Sequence, residues 1–344
     1  MAITIKDIAR ESGYAVGTVS RVLNNHPDVS DTARAKIMEV VEKHHFRLNN
    51  NAKHLKQQSS SGVAIVIKGS QNMLFSPIVE QMQGMLQEKG FACLVYYINE
   101  LENELEHAIQ ICRERRPVGL MFLGCNLQYF RERFHEITIP SVLVTNSAKD
   151  LNISNLSSVS INDTEAAKAA VCHLLEGGHR KIGILGGFTD RSKVAKSRFE
   201  GCVSAFRDNG IAFDREKQYI ASMFGMKDGY SSMKQMMERM PDITAVFAMS
   251  DVMAVGAIRA IKDAGRKVPD DISVVGFDGV ELSEFLYPKL TTIKQDKETI
   301  ARRSVEILLA NIGKQLPAAH ETVPFSVISG ESTKPLYQEE KFNG

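Results

Sequence analysis

Residues 4–24 read TIKDIARESGYAVGTVSRVLN. Thr4 and Asp7 stand in a capping-box relation, hydroxyl and carboxylate each answering a free backbone N–H of a helix start. Ile5, Ile8 and Ala9 then recur at three-to-four spacing, the period of a short amphipathic helix. Gly13 marks a sharp turn, because glycine takes positive φ without steric cost. A second helical run has Val16, Val19, Val22 and Leu23 as its apolar side, with Thr18, Ser20, Arg21 and Asn24 elsewhere around it. Those polar side chains suit phosphates or base edges. The arrangement predicts a helix-turn-helix reader of the DNA major groove.

The same pattern, taken alone, also suits two surface helices of an ordinary core. The order of the neighbouring segments decides between them. TIKDIAR (4–10), GTVSRVLNN (17–25), VSDTAR (29–34) and FRLNNNAKHL (46–55) occur in that order, and the chain resembles the lactose/galactose repressor family through nearly all of its 344 residues. The head is most similar to galactose-type repressors, which carry a small residue pair at the positions of Val16 and Gly17. The resemblance implies operator DNA as a partner, with Thr4, Val16, Gly17, Thr18, Ser20, Arg21 and Asn24 at or near the groove. Val16 and Gly17 would read by apolar contact and close approach, for example to a thymine methyl.

Ser30 is a natural N-cap for a third helix running to about His44, with Ala33, Ile37, Val40 and Val41 as its buried stripe. That closes an all-α head over residues 1–46. Its core is marginal. Residues 47–61 come next as hinge and linker. Asn49 to Leu55 is compatible with helix but too short to be stable in water, so it is a segment expected to fold on binding. By resemblance it is the hinge helix, with Asn49, Ala52 and Lys53 at the minor groove and Leu55 wedged into the central base step of a bent operator. The family pattern is broken at two places. Leu48 stands where a proline is usual, and Ala15 where a serine usually caps the second helix. Loss of a side-chain cap costs about 1 kcal/mol.

From Gly62 the pattern becomes alternating β and α. Apolar runs at Val63–Ile67, Cys93–Ile98, Val118–Leu123, Val142–Thr145, Lys181–Leu185, Ala245–Met249 and Ser273–Phe277 read as strands. Helical stretches fall near 77–89, 101–115, 127–136, 163–176, 197–209, 228–240 and 251–264. Continuous Val/Ile/Leu runs between helices indicate parallel sheets covered on both faces. Two such sets in series predict an α/β body of two doubly wound subdomains with a cleft beyond the carboxyl ends of their strands. EGGHRKIGILGG (176–187), SDVMAVGAIRAI (250–261), VPDDISVVGFD (268–278) and LTTIKQD (290–296) resemble the family's periplasmic-binding-protein-like body. It implies three crossovers, near Asn162, Thr292 and Val323. The first subdomain would then be 62–162 plus 293–322, and the second 163–292 plus 323–344. Helix 296–312 returns to the first, and strand Thr322–Ile328 to the second.

A cleft for sugars needs groups that pair with hydroxyls and an apolar face for the ring. By resemblance Arg198, in KSRFEG, is the ligand-gripping arginine, and Asp278, in VVGFDG, the strand-end aspartate that accepts hydroxyls. Phe75, expected in the loop after the first strand, would form a wall. Ser250 stands where the lactose repressor has a ligand-contacting asparagine, and Asp163 lies at the first crossover. Arg191, Lys193 and Lys196 lie close enough in sequence to Arg198 to keep a sugar phosphate in view beside a neutral sugar, although a solvated charge run is the commoner explanation of such a cluster.

Residues 1–61 hold nine Lys/Arg against six Asp/Glu, and the remainder 33 against 35, so a basic head sits on a mildly acidic body. That favours phosphate contact by the head. Five scattered cysteines (93, 112, 125, 172, 202), without CxxC spacing, predict reduced and mostly buried thiols rather than a disulfide frame or metal site. No apolar run approaches a bilayer span and MAITIKDIAR is no signal peptide, so a cytoplasmic protein is expected. No GxGxxG, Walker, HExxH or GxSxG motif is present. The expectation is a non-enzyme without cofactor or metal: a sugar-responsive transcriptional repressor acting as a homodimer on a near-palindromic operator. Two readings stand beside it, a catabolite regulator controlled by a phosphocarrier coregulator and a soluble sugar-binding protein without DNA function. By resemblance, ligand would alter the angle between subdomains and melt the hinge. The tail after Ile328, SGESTKPLYQEEKFNG, lacks the leucine heptads of a tetramer-forming coiled coil.

Overall fold

A computed structural model of the chain describes residues 5–23, 28–44, 62–69, 72–314 and 316–336. The chain divides into two compact units, Met1–Ser59 and Ser60–Gly344. In the first, α1 (Ile5–Ser12), α2 (Val16–Leu23) and α3 (Asp31–Lys43) enclose a small core of Ile8, Ala9, Val19, Val22, Ile37, Val40 and Val41. Gly13, at φ 75, turns α1 into α2, and Ser30 caps α3 by accepting the Ala33 N–H at 3.4 Å. Glu11 at the end of α1 binds Lys43 Nζ at 2.8 Å and His44 Nε2 at 2.7 Å, which ties α1 to the end of α3. His44 thus serves the head's own packing.

The second unit opens with β1 (Gly62–Lys68), α4 (Phe75–Glu88), β2 (Ala92–Ile98), α5 (Glu104–Arg115), β3 (Gly119–Leu123), α6 (Leu127–Arg133), β4 (Ser141–Val144) and β5 (Leu156–Ser160). It continues with α7 (Asp163–Glu176), β6 (Ile182–Gly186), α8 (Lys193–Asp208), α9 (Arg215–Gln218), β7 (Tyr219–Ala221), α10 (Met226–Arg239), β8 (Ala245–Ala248), α11 (Asp251–Asp263), β9 (Ser273–Asp278), α12 (Leu282–Phe285) and β10 (Thr291–Gln295). Helix α13 (Lys297–Asn311) and strands β11 (His320–Thr322) and β12 (Phe325–Ile328) end it. One six-stranded sheet runs β11-β5-β4-β3-β1-β2 and a second β12-β10-β9-β8-β6-β7. All neighbours are parallel except β12 on β10. Both sheets therefore carry the same doubly wound order, and each is the frame of one lobe.

The physical cause is the near-total burial of the strands: β3, β4, β5, β6, β8 and β9 are buried along their whole length. Strands buried on both faces need helices on both faces. One continuous core cluster runs from beneath α4 and α13 to beneath α7 and α8, and separate clusters lie on the far side of each sheet.

Several boundaries differ from the sequence expectation. The stretch 322–328 is two strands in two sheets: His320–Thr322 pairs with β5, Phe325–Ile328 with β10, and the chain changes lobe between them at Val323 and Pro324. Strand β10 stays in the second sheet through Gln295, three residues past the crossover expected at Thr292. Strands β5, β7 and β10 are absent from the expected set. Strand β5 reads LSSVS, and its buried serines are satisfied late in the chain: Ser157 Oγ accepts the Ala319 N–H at 3.1 Å, and Ser158 Oγ meets His320 Nδ1 at 2.9 Å. Helix α8 starts at Lys193 rather than 197, because Ser192 caps it by accepting the Ala195 N–H at 3.2 Å.

The segment 330–336 lies across the second lobe. Ser332, fully buried, donates to the Val274 carbonyl at 2.6 Å and accepts the Thr291 N–H at 2.8 Å. His179 contacts the Lys334 carbonyl at 3.0 Å through Nε2, and Leu336 N–H donates to Gly177 at 2.8 Å. Of the five thiols, Cys125 and Cys202 are buried and the other three half-buried, fewer than expected; none is in a disulfide. No described helix is long and apolar enough to cross a membrane.

Candidate functional site

In the head, α2 turns Val19 and Val22 into the core and leaves Val16 41% exposed with Gly17 and Arg21 also outside. Val16 thus leaves the apolar side on which its spacing placed it and joins the outward face. A Cβ added at Gly17 would meet nothing within 4 Å, so this surface is open to close approach by a partner's atoms. Thr18 and Ser20 are half-buried beside it, and Arg21 lies 3.5 Å from Asp28, both largely exposed. The Ala15 carbonyl accepts the Thr18 and Val19 N–H groups at 2.9 and 3.1 Å, and its methyl group offers no side-chain cap. Thr4, Asn24, Asn49, Ala52, Lys53 and Leu55, and with them Leu48, lie outside the described residues.

In the body, three of the expected residues converge. Arg198 on α8 is buried, and its Nε donates to Asp163 Oδ1 at 2.8 Å at the start of α7. Its Nη1 donates to the Met249 carbonyl at 2.5 Å at the end of β8, and Nη2 stands 3.7 Å from Asp278 Oδ1 at the end of β9. The guanidinium carbon lies 3.6 Å over the Phe277 ring. Helix packing explains the meeting. Gly201, one turn beyond Arg198, has no side chain, and a Cβ there would collide with the Thr164 carbonyl. Only glycine lets α8 lie that close to the start of α7.

Asp278 has φ 114, a region costly for any residue with a Cβ and held only where the surroundings fix it. Gln295 Nε2 donates to its Oδ1 at 2.8 Å. Behind it Asp251, buried at the start of α11, accepts the Val280 N–H at 2.8 Å and the Thr292 hydroxyl at 2.5 Å, which anchors the turn after Asp278. Burial raises all three carboxyls. Asp278 is pushed up to about 6 by burial, against the pull of Arg198. Asp251 reaches about 8, by burial and then by the charge of Asp278, and Asp163 is raised by burial against Arg198.

The other two expected residues are spent internally. Ser250 caps α11, accepting the Met253 N–H at 3.1 Å and donating to the Phe224 carbonyl at 3.5 Å. Phe75 is not in a loop but opens α4, buried in the core against the Gly124 turn, because the helix starts two residues earlier than its apolar pattern suggested. Of the cationic cluster near Arg198, Arg191 and Lys196 are exposed and paired with Asp190 and Glu200. Lys193 instead meets Asp150 at 2.5 Å. On the first lobe, at the end of β1, Lys68 is ion-paired at 2.8 Å with the fully buried Glu104. A polar cavity of about 170 Å³ lies beside this site, lined among others by Asn146, Ser147, Asp163, Lys193 and Ser197. Sequence reasoning missed Gln295, Asp251 and Lys193–Asp150 as members of this region; Asp251 and Gln295 stand inside the family-like segments 250–261 and 290–296, whereas the Lys193 contact has no sequence signal.

Comparison with known proteins agrees with this architecture. Residues 4–49 match the family model described as bacterial regulatory proteins, lacI family, and residues 171–333 the periplasmic binding protein-like domain. The chain is 36% identical over 313 residues to the HTH-type transcriptional regulator MalR of Clostridium butyricum, covering 90% of this chain and 93% of that protein. Among solved structures it is similar to the lac repressor dimer bound to operator and the anti-inducer ONPF, at 25% identity and TM-score 0.76 over 97% of this chain and all of the other. A transcriptional regulator CelR–cellobiose complex shares the fold, at 24% identity and TM-score 0.70 over 96% of this chain and all of the other.

Proposed function

Because the chain belongs to the lacI family of bacterial regulatory proteins, we propose that it is a repressor whose hold on operator DNA is set by a small uncharged sugar. It is a DNA-binding transcriptional regulator and not an enzyme. Val16 and Gly17 read a major-groove half-site by close apolar contact, and Thr18, Ser20 and Arg21 position α2 on phosphates. Thr4 and Asn24 join them, and Asn49, Ala52, Lys53 and Leu55 act in the minor groove. Two copies act on a near-palindromic operator, the geometry that a two-fold dimer requires, and the protein works in the cytoplasm. The lac repressor relative, a dimer on its operator, supports this reading.

The observation that carries the effector half is Arg198. Of the five N–H donors of its guanidinium, two are used in hydrogen bonds among the described residues. The remainder, with the carboxylates of Asp163 and Asp278, offer donors and acceptors together at the carboxyl ends of the strands, and pair with neighbouring hydroxyls of a sugar. Charge balance favours an uncharged ligand over a sugar phosphate: Arg198, Lys193 and Lys68 each already face a carboxylate. The sign of the response follows the state, operator-bound or free, that the sugar binds more tightly.

The test is a thermal-shift screen of the full chain against free sugars and their phosphates, followed by binding of promoter DNA with each hit. An uncharged sugar that stabilises wild type, leaves Arg198→Met unshifted and changes DNA affinity is the expected result. If promoter DNA binds while no sugar does, the cleft assignment fails and the phosphocarrier coregulator takes its place.

A further inference from the structure

Among the described residues, salt bridges join the two lobes of the body at a single place. Lys193, the first residue of α8 in the second lobe, reaches Asp150 in the segment after β4 of the first, Nζ to Oδ2 at 2.5 Å. The same ammonium group donates to the Ser147 carbonyl at 3.4 Å. Every other charged pair described in the body closes within one lobe, as Lys68–Glu104, Arg303–Glu321, Arg198–Asp163 and Lys334–Asp270 do. The hydrogen bond from Lys193 is the main reason that the Asp150 carboxyl is held below the ordinary range.

The position of Lys193 matters as much as its partner. Ser192 caps α8, so Lys193 is fixed at the start of a regular helix and Arg198 comes five residues later, about 7.5 Å along the axis. Gly201 then clamps that helix against Thr164. One rigid element therefore carries a contact to the opposite lobe at its tip and the buried arginine one and a half turns below. The small polar cavity bounded by Ser147, Asp163, Lys193 and Ser197 lies between the two contacts.

We propose that Lys193–Asp150 is an inter-lobe latch, and that α8 is the lever through which a ligand at Arg198 loosens or tightens it. The lever half rests on the reading of Arg198 given above; the latch half does not. Both partners keep contact with water, the side chains being 31% and 66% exposed, so the pair biases the lobe angle without locking it. Exposed ion pairs shift such equilibria by only about 1.5- to fivefold.

The test is hydrogen–deuterium exchange on the full chain, without DNA or sugar, so its failure is separable from failure of the effector reading. Lys193→Ala should speed amide exchange by about 1.5- to fivefold in residues 192–197 and also in 146–151 across the cleft. Asp150→Asn should do the same from the other side. The charge swap Lys193→Asp with Asp150→Lys should restore both segments. Lys196→Ala, on the same helix but paired within its own lobe, should leave 146–151 unchanged. Acceleration confined to the lobe that carries the substitution, or a charge swap that restores neither segment, would overturn the latch.

Discussion

Replacing Arg198 by methionine keeps an unbranched apolar stem but removes the guanidinium, with its contact over Phe277 and the charge that the Asp163 and Asp278 carboxylates face. The size of the loss can be worked from Asp278. In the intact protein its carboxyl sits at about 6, so at pH 7.5 it is ionised and paired. Without the arginine it escapes the uncompensated charge by taking up a proton. At about 1.36 kcal/mol per pH unit, that proton costs roughly 2 kcal/mol at pH 7.5 and almost nothing at pH 6. The carboxyl of Asp163, also raised by burial, adds in the same direction. A change of about 2 kcal/mol corresponds to about 3 °C in Tm for a unit the size of Ser60–Gly344. Thermal melts of wild type and Arg198→Met at the two pH values should therefore show a gap that opens as pH rises. A gap of equal size at both would mean that the arginine is a packing residue and that Asp278 does not sense it.

Three further outcomes are expected from the geometry. Gly201→Ala drives a methyl group against the Thr164 backbone, where no flexible side chain is present to yield, and should cost about 1–3 kcal/mol in melting experiments while weakening sugar binding through Arg198; an unchanged Tm would refute the close approach. Asp251, with its carboxyl near 8, keeps a proton in the folded protein that the unfolded chain has already released. A raised folded-state value means that this stability is complete in acid and lost as pH rises through about 8, so the Tm of wild type should fall between about pH 6.5 and 8.5 and that of Asp251→Asn should fall less; parallel curves would show that Asp251 does not titrate there. Ala15→Ser supplies the missing cap of α2, worth about 1 kcal/mol, and should tighten promoter binding by up to about fivefold in a titration at fixed salt; no change would show that the Ala15 carbonyl already suffices.

Legibility in the chain tracks the range of the forces involved. The head is written locally: a glycine turn, a serine cap and a three-to-four stripe are signals a few residues long, and Gly13, Ser30 and Ile37 do what those signals say. The apolar strands of the body are equally plain. Strand β5 is not, because LSSVS becomes a buried strand only when Ala319 and His320 arrive to satisfy its serines. Arg198, Asp163 and Asp278 are reached through a likeness to a family, and their convergence depends on Gly201, whose role no pattern in one sequence announces. Ser250 and Phe75 are read by position, while cap geometry and core packing decide where their atoms go.

The late arrival of partners has a consequence for how the protein is made. The edge of the first sheet waits for residue 320, and Thr291 and Val274 in the second wait for Ser332. Emerging from a ribosome at roughly 5–20 residues per second, the chain needs about 15–50 seconds after Gly62 to supply them. The head, whose described core is closed by Val41, has all its parts long before that. During synthesis the two lobes must therefore persist with open sheet edges, the state in which chaperones find their clients, and a nascent chain is competent for packing its DNA-reading helices well before it can hear any signal meant to control them.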